Sequence, residues 1–262
     1  MMRIEFLTQD DPLYILPFFE EFLRHYSTQF EIVRVSSSPT MGKRSRVQMV
    51  KELTTLYGPV GMAALSGATL AAKLLGRFPR RQDAKRFYGI RQICSAYGIE
   101  YIDIGNPNAP EFLEGFQERK PDVLVSIACP YILKEKVLSV PPMGCVNIHH
   151  APLPKYKGMM PTFWQMYHGE GSLGVTVHFM SAKLDEGDGL LQEGLSVSKT
   201  ETLHNVIRRS KRHGAHVMAR ALRALENGSY VRIPLDREVG SYFTFPTLAQ
   251  IRDFQKRGYR AV

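Results

Sequence analysis

The chain has 262 residues, of which 44% are hydrophobic and 23% are charged, a balance typical of a globular protein with a substantial core. Its three cysteines stand at unrelated spacings, which excludes a paired C-x-x-C zinc or redox motif and fits a reducing cytoplasm. The first residues lack the basic segment, apolar run and small-residue cleavage site of a secretory signal. We therefore expect a cytoplasmic protein whose chain begins with a strand and a helix.

The net charge of +9 resides in one segment of the chain. Residues 38–91 hold eleven lysines and arginines and only two acids, Glu52 and Asp83, whereas the rest of the chain is balanced. Such clustering raises the local potential towards anions. Two interpretations stay open: a well-solvated basic face, and a surface that attracts an acidic substrate, nucleic acid or anionic lipid.

The opening of the chain follows the order strand, helix, strand. Residues 3–8 alternate and are rich in apolar side chains, which predicts a strand. Asp10 and Asp11 then precede Pro12, a helix-start signal, and apolar residues recur at helical spacing as far as Leu23. Because residues 30–35 read as a second strand, we expect a parallel sheet with helices on its faces.

Residues 58–78 are apolar and rich in small side chains. Lys73 interrupts them and leaves about 14 uninterrupted residues, fewer than the roughly 20 that a membrane-spanning helix needs. We therefore expect a packed core helix or the interface of a homodimer. The alternative is a peripheral contact of residues 58–91 with an anionic membrane. Five basic residues at or beyond the end of the apolar run favour this alternative: Arg77, Arg80, Arg81, Lys85 and Arg86.

The remaining pattern continues the alternation of strands and helices. Further predicted elements are a helix at 84–97, strands at 101–104, 123–127, 144–149 and 174–180, and a long amphipathic helix at 202–225. Asn227 and Gly228 end that helix. The sequence therefore predicts an α/β fold with a mostly parallel sheet flanked by helices.

Three polar residues in the second half of the chain could carry chemistry. Asn147 and His149 stand two apart on a predicted strand, so both side chains project from one face. An amide donor beside an imidazole suits a carbonyl oxygen that gains negative charge while a proton moves. Asp185 lies in a turn after the strand at 174–180 and could orient His149. Each signal alone is weak, because such residues are more often ordinary strand and turn residues.

Taken together, residues 144–193 closely resemble the catalytic core of the folate-dependent formyltransferase family. This family includes the glycinamide ribonucleotide, methionyl-tRNA and sugar-amine formyltransferases and formyltetrahydrofolate deformylase. The matching elements, in order, are Asn147-x-His149, Leu153-Pro154, Tyr156-Lys157-Gly158, Gly174-Val175-Thr176 with His178, and Asp185-Glu186-Gly187. Weaker similarity extends over residues 121–228.

The resemblance implies a Rossmann-like catalytic domain over residues 1–232, followed by a C-terminal extension at 233–262. The basic helical insertion at 38–91 is not a usual element of the family, and we expect it to adapt the chain to its own acceptor or location. It implies that 10-formyltetrahydrofolate is the formyl donor and that no metal is needed. Asn147 and His149 would stabilise the oxyanion, and Asp185 would help to move a proton. The pterin ring would lie between two groups of residues. They are Pro130, Tyr131 and Leu133 on one side, and Met180, Ser181, Ala182 and Lys183 on the other.

The histidines of this region do not form a recognisable metal motif. They are His149, His150, His168 and His178. Neither H-E-x-x-H nor a Cys/His zinc spacing occurs among them, so we expect no metal.

Two departures from the family pattern bear on the acceptor. Ribonucleotide-specific members carry a glycine-rich phosphate loop after the first strand, whereas Asp10 and Asp11 stand here and would repel a phosphate. The initiator-tRNA enzymes typically continue into a C-terminal domain that grips tRNA. Residues 234–262 resemble instead the linker of sugar-type members, with an aromatic clasp around Phe243. We therefore expect a small anionic amine, such as a nucleotide-linked amino sugar, rather than tRNA.

Besides formyl transfer to methionyl-tRNA, two other functions remain as alternatives. The adjacent pair His149-His150 also matches the deformylase, in which water replaces the amine. A catalytically idle relative that binds folate or a lipid surface is the second alternative, although the intact trio argues against it.

Overall fold

Seven strands form one sheet, in the spatial order β3-β2-β1-β4-β5-β7-β8. The computed structural model describes residues 1–39, 46–182, 187–236 and 239–262, with the backbone alone for residues 46–49. The strands are β1 (Arg3–Thr8), β2 (Glu31–Ser37), β3 (Tyr101–Asp103), β4 (Val123–Ile127), β5 (Cys145–His149), β7 (Ser172–Phe179) and β8 (Gly189–Ser196). Strands β1 to β5 pair in parallel, and β7 and β8 continue the sheet antiparallel. The predicted mostly parallel sheet is confirmed, with β8 as an unpredicted edge.

Helices cover both faces of this sheet. They are α1 (Leu16–Tyr26), α2 (Arg46–Leu75), α3 (Ile90–Ala96), α4 (Pro110–Arg119), α5 (Glu135–Leu138), α6 (Pro161–Tyr167), α7 (Leu203–Glu226) and α8 (Leu248–Lys256). On one face, Phe6 of β1 packs with side chains of α1, α3 and α7. On the other face, the next residue, Leu7, packs with side chains of α4 and α5. The alternation along β1 thus places a hydrophobic cluster on each side of the sheet.

Helices α1 and α3 begin later than the sequence predicts. A turn precedes α1, and a side chain accepts a hydrogen bond from a backbone amide that precedes α3. The carbonyl of Asp11 accepts hydrogen bonds from the amides of Ile15 and Leu16, so residues 12–15 form a turn before α1. The helix predicted at 84–97 is wrong before Ile90. There the Phe87 amide donates to the carboxylate of Glu20 at 3.0 Å, which a sequence pattern cannot reveal.

Helix α2 consists of two segments. Gly58, with φ 70° and ψ 165°, breaks it and is followed by Pro59. We call residues 46–57 α2a and residues 59–75 α2b. Among the described residues, Val50–Leu75 is the one helix long and apolar enough to cross a membrane, by length and composition only. The expectation of a packed core helix is wrong, because only 11% of its apolar window is buried.

The last thirty or so residues pack on the body of the chain. Strands β6 (Lys157–Gly158) and β9 (Tyr242–Phe243) form a small parallel sheet. The ring of Phe243 stacks on Trp164 and Tyr156, with centroids 4.6 and 5.5 Å apart. In α8, which the sequence analysis did not predict, Phe254 lies 4.7 Å from Phe163. The structure thus contains the aromatic clasp that the sequence predicts.

Candidate active site

Strand β5 carries two of the predicted catalytic residues to the carboxyl edge of the sheet. It lies between β4, which is parallel to it, and β7, which is antiparallel. In this register Asn147 is opposite His178 and His149 is opposite Thr176. The carboxyl ends of β1, β4 and β5 meet at this edge, which is where ligands bind in open α/β sheets.

The side chain of Asn147 is oriented by a buried histidine. Its Nδ2 lies 3.1 Å from Nε2 of His178. The Nδ1 of His178 lies 2.8 Å from the carbonyl oxygen of Phe179, which can only accept, so the proton is on Nδ1. Nε2 is therefore the acceptor, and the amide of Asn147 donates to it. The sequence analysis named His178 as a motif match without assigning it this role.

His149 is buried and is held by the loop that follows β5. Its Nε2 donates to the carbonyl oxygen of Tyr156 at 2.8 Å, so in the neutral ring Nδ1 is the basic nitrogen. Tyr156, which has φ 59°, is anchored by two hydrogen bonds. Its amide donates to Ser241 Oγ at 2.9 Å, and its hydroxyl donates to Glu170 at 2.8 Å. The imidazole is thus fixed by backbone that is itself anchored.

The same loop is fastened to β7 and β8 by polar side chains. The hydroxyl of Thr176 donates to the carbonyl of Ala151 at 2.7 Å and accepts from the amide of Leu153 at 3.1 Å. Gln192 of β8 donates to the carbonyl of Leu153 at 2.9 Å. Because these partners come from other strands, the loop is preorganised around His149.

A cavity of about 280 Å³, which we call the site cavity, opens beside the end of β5. Its walls come from the segments that follow β1, β4 and β5, namely Asp11, Ala128 and His150, and from Lys211 of α7. Ala128 has φ 55°, a conformation uncommon for a residue with a Cβ and one that recurs at functional sites.

His150 is buried at this cavity and stays neutral. Its Nδ1 is hydrogen-bonded to Ser210 Oγ at 2.8 Å, whereas its Nε2 has no hydrogen-bond partner within the described parts of the chain. Burial, followed by the nearby charge of Lys211, lowers the pKa of His150 well below its usual value. A buried polar atom without a partner is costly, which makes Nε2 a candidate contact for a bound molecule.

Lys211 and Asp11 bring opposite charges to the site cavity. Burial lowers the pKa of Lys211 to about 8, against an opposing effect of Asp11. The carboxylate of Asp11 accepts hydrogen bonds from the amides of Leu13 and Tyr14 at 2.8 and 2.9 Å. These two backbone amides, which precede α1, are therefore already hydrogen-bonded to a carboxylate. The sequence does hold a signal for Lys211, since it falls on the apolar stripe of α7, four residues after Ile207.

The residues predicted to contact folate lie in two neighbouring segments. Leu133 is fully buried in the cluster that contains Leu7 and Phe116, and Met180 packs against the same cluster. Met180 is fixed there because its amide donates to the carbonyl of Cys145 at 2.7 Å. Leu133 and Met180 therefore belong to one hydrophobic cluster. Pro130, Tyr131 and Ser181 are partly buried and Ala182 is exposed.

Two predicted site residues, Asp185 and Lys183, lie outside the described residues. The β7 strand that precedes them ends at Phe179, and the described chain resumes at Gly187, whose absent Cβ would lie 1.9 Å from the carbonyl oxygen of Phe179. A side chain at position 187 would collide with this oxygen, so the last residue of the predicted D-x-G turn must be glycine.

The family model described as formyl transferase matches residues 81–222, more than half of the chain. The chain belongs to the formyl transferase family. The match includes β4, β5, β7 and most of α7, and it begins after α2, so α2b lies outside the part that the chain shares with the family model.

Curated members of the formyl transferase family match the same region. The methionyl-tRNA formyltransferase of Ruminiclostridium cellulolyticum is 35% identical over 153 residues, which cover 58% of this chain and 49% of that protein. The enzyme of the same name from Syntrophus aciditrophicus gives the same identity and coverage. The chain therefore spans about half the length of the curated relatives it matches.

Solved structures of formyltransferases share the fold. Glycinamide ribonucleotide transformylase 1 of Symbiobacterium toebii superposes with a TM-score of 0.59 at 18% identity and covers 90% of this chain and 95% of its own. An N-formyltransferase of Helicobacter canadensis, in complex with folinic acid and dTDP-3-aminofucose, has a TM-score of 0.56 at 16% identity and covers 100% and 84%. The predicted Rossmann-like formyltransferase fold is confirmed.

Proposed function

We propose that this formyl transferase family member moves a formyl group from 10-formyltetrahydrofolate to a primary amine. The observation that carries the proposal is the paired orientation of Asn147 by His178 and of His149 by Tyr156, at the carboxyl end of β5. Two fixed polar groups at a sheet edge are suited to stabilise charge that develops on a carbonyl oxygen. The next residue of the chain, His150, lines the site cavity.

Each residue of the trio has a distinct role in this proposal. When bound, the donor supplies a formyl carbon, to which the amine nitrogen forms a bond as the bond to the folate nitrogen breaks. The amide of Asn147 donates to the formyl oxygen as negative charge accumulates there. His149, whose Nε2 proton is held by Tyr156, takes part through Nδ1, which accepts a proton from the attacking amine and, once protonated, can donate to the same oxygen. Asp185 would help to carry the proton from the attacking amine to the folate nitrogen.

The described residues fit a flat, largely apolar donor ring. Leu133 and Met180 pack on one cluster, so the segments that carry them are held close and form a firm base for a slot. Ser181 and Ala182 follow Met180 and bring backbone groups to its rim, where polar edges of a pterin need partners. Pro130, Tyr131 and Lys183 complete the proposed donor contacts.

A small anionic amine suits the site cavity as acceptor. Lys211 supplies a cation, and the neutral ring of His150 lines the same cavity. Asp11 already takes two amides at the start of α1, which argues against a phosphate bound there as in ribonucleotide-specific members. A nucleotide-linked amino sugar is the leading candidate, in line with the dTDP-3-aminofucose named for the Helicobacter canadensis structure.

A second candidate acceptor follows from the curated relatives, which are methionyl-tRNA formyltransferases. In either case we place the catalytic unit in residues 1–232, including the insertion at 38–91, and regard residues 233–262 as an extension.

The test is a turnover screen with a formyl-labelled donor. The purified chain would be incubated with labelled 10-formyltetrahydrofolate and, in separate wells, a library of amino sugars and their nucleotides, methionine-charged initiator tRNA, or buffer alone. Acceptor-dependent release of tetrahydrofolate with label in a small amine supports the proposal. Label in tRNA selects the second candidate. Release that needs no acceptor identifies a hydrolase, and no release in any well contradicts an enzymatic role.

A further inference from the structure

Helix α2b presents an apolar face to the outside of the molecule. Val60 is 83% exposed, Leu70 is 61% exposed and Phe78, just past the helix, is 65% exposed. Leu74 and Leu75 are exposed as well, and Lys73 is the only charged residue between 59 and 75. A surface helix of a globular protein normally turns its polar side outwards, so this helix has the reverse arrangement.

The face of α2b that packs on the protein is narrow, consists of small residues and is fixed by contacts at both ends of the helix. A Cβ at Gly61 would lie 2.6 Å from Val262, so the helix and the C-terminal residue are in close contact. At the other end, the side chain of Gln92 donates to the carbonyl of Leu75 at 2.9 Å. Because both ends are fastened, the apolar face is displayed in a fixed orientation.

A basic cluster follows the helix directly: Arg77, Arg80, Arg81, Lys85 and Arg86. The guanidinium groups of Arg80 and Arg86 both lie over the ring of Tyr88, 4.8 and 4.9 Å from its centroid. Within the described ranges, Arg81 has Asp83 at 3.7 Å, and the other four members have no carboxylate within ion-pair distance. The positive charge of the cluster is therefore largely uncompensated.

A second cavity, of about 450 Å³, joins the apolar face to the cluster. Ala68 and Ala71 of α2b line one wall, and apolar residues of the α1 region line another. Four cations also line the cavity: Lys85, Arg86, Arg208 and Arg212. The one acid in its lining, Glu20, accepts the amide of Phe87. Burial, followed by repulsion from Arg212, lowers the pKa of Arg208, as expected when cations crowd a shared space. We call this space the cationic cavity.

We propose that α2b, the basic cluster and the cationic cavity together form a docking surface for an anionic phospholipid bilayer. The apolar side chains enter the boundary between headgroups and acyl chains, and the cations meet the phosphates of the headgroups. The helix lies along the surface and does not cross it. Its 17 residues extend only about 25 Å, less than the roughly 30 Å of a bilayer core.

Charge complementarity favours a bilayer over a second copy of the chain. A symmetric dimer through α2b would offer the basic cluster no acidic counterpart, because residues 59–82 of a second copy contain no acid. A nucleic acid would satisfy the cations and leave Leu70, Leu74 and Phe78 in water. An anionic bilayer satisfies both the apolar face and the charge.

The experiment is co-sedimentation of the full chain with vesicles. One set contains phosphatidylcholine with about a third phosphatidylserine, and the other contains phosphatidylcholine alone, each at low and high salt. We expect binding to the anionic set that weakens as salt rises, and little binding to the neutral set. Equal binding to both sets, or none to either, would overturn the proposal.

Matched variants separate the two parts of the surface. Arg80→Glu with Lys85→Glu should weaken binding about tenfold or more, whereas the control Lys120→Glu with Lys199→Glu should change it little. Leu70→Glu with Leu74→Glu should also abolish most binding, whereas Val231→Glu, at an exposed valine elsewhere, should not. If the control variants lose as much vesicle binding as the surface variants, the net charge of the chain and not this surface is responsible.

Two further measurements address other occupants. Inorganic phosphate at millimolar concentration should not release the chain from vesicles at constant ionic strength. Full release would show that the cationic cavity binds a free anion and not a bilayer. Sedimentation velocity without lipid should show a monomer. A dimer that the Leu70→Glu and Leu74→Glu pair dissociates, together with absent vesicle binding, would assign the face to self-association and contradict the proposal.

Discussion

Nδ2 of Asn147 donates to Nε2 of His178 across the β5–β7 pair at 3.1 Å, and His178 is locked by its own bond to the carbonyl of Phe179. His178 is thus a positioning residue that selects the orientation of the amide. Replacing it with alanine should lower kcat about ten- to a hundredfold, with a smaller change in KM for the donor. His178→Gln, whose side-chain oxygen can accept the same hydrogen bond, should recover part of the loss. A glutamine variant as slow as alanine would contradict this role.

The trio itself should be far more sensitive. His149→Ala or Asp185→Ala should reduce turnover by about two to four orders of magnitude, as expected for a lost acid or base element, and Asn147→Ala should lose a comparable amount through its oxyanion contact. Steady-state rates with the acceptor found by the screen are the measurement. Circular dichroism melting checks that each variant is folded, and His25→Ala on α1 is a control histidine away from the sheet edge. Near-normal rates would mean that these are ordinary strand and turn residues.

The strands that bear the site are readable from the sequence because two short-range rules determine them. Short apolar-rich runs indicated β1, β4 and β5, and a spacing of two placed Asn147 and His149 on one face. Strand β8 escaped because Gly189 and Gly194 interrupt its pattern, and glycine normally counts against a strand. Local periodicity therefore predicts the central strands of the sheet but not the edge strand β8.

Long-range partners explain what the sequence could not show. The start of α3 depends on a hydrogen bond from Phe87 to Glu20, which lies 67 positions earlier. Likewise, an apolar run such as α2b has the same composition whether it is buried, spans a membrane or lies at a surface. The exposure of Leu70 and its neighbours excludes the first of these cases.

A buried ion pair at the start of the sheet gives a prediction about stability alone. Glu5 of β1 is fully buried and accepts two hydrogen bonds from Arg119 at 2.8 and 2.9 Å. Arg119→Met should destabilise the fold by about 3–5 kcal/mol, because it leaves an uncompensated buried charge, whereas Glu5→Leu combined with Arg119→Met should recover most of the loss. Urea unfolding measures both. A single variant as stable as the wild type would show that solvent reaches Glu5.

The buried His150 predicts a specific loss of stability in acid. Because its pKa is lowered in the folded chain, the unfolded chain binds the extra proton first as the pH falls below about 6.5. The free energy of unfolding should therefore decrease as the pH falls from 7.5 to 5.5, by up to about 1.4 kcal/mol per pH unit from this residue. His150→Gln should show a shallower decrease. The pKa values of His204 and His213 are also lowered, so the difference between wild type and variant, not the slope itself, is the test.

Lys211 predicts a conflict between stability and acceptor binding. Its folded pKa of about 8 lies below the value of 10.5 for a free lysine, so the unfolded chain binds more protons between these two values. The cost of burying the charge is complete below pH 8 and is relieved as the pH rises towards 10. Lys211→Met should therefore be more stable than wild type at pH 7, by up to a few kcal/mol, and this advantage should shrink at pH 10.

Lys211→Met should also weaken the binding of an anionic acceptor, since it removes the cation of the site cavity. We expect KM for the acceptor to rise about tenfold at pH 7 with a smaller change in kcat, and wild-type KM to rise above pH 8 as Lys211 loses its proton. The neutral methionine variant should lack that pH dependence. An acceptor KM that is the same in both chains at pH 7 would mean that the anionic group of the acceptor binds elsewhere, and the assignment of the site cavity to the acceptor would then be wrong.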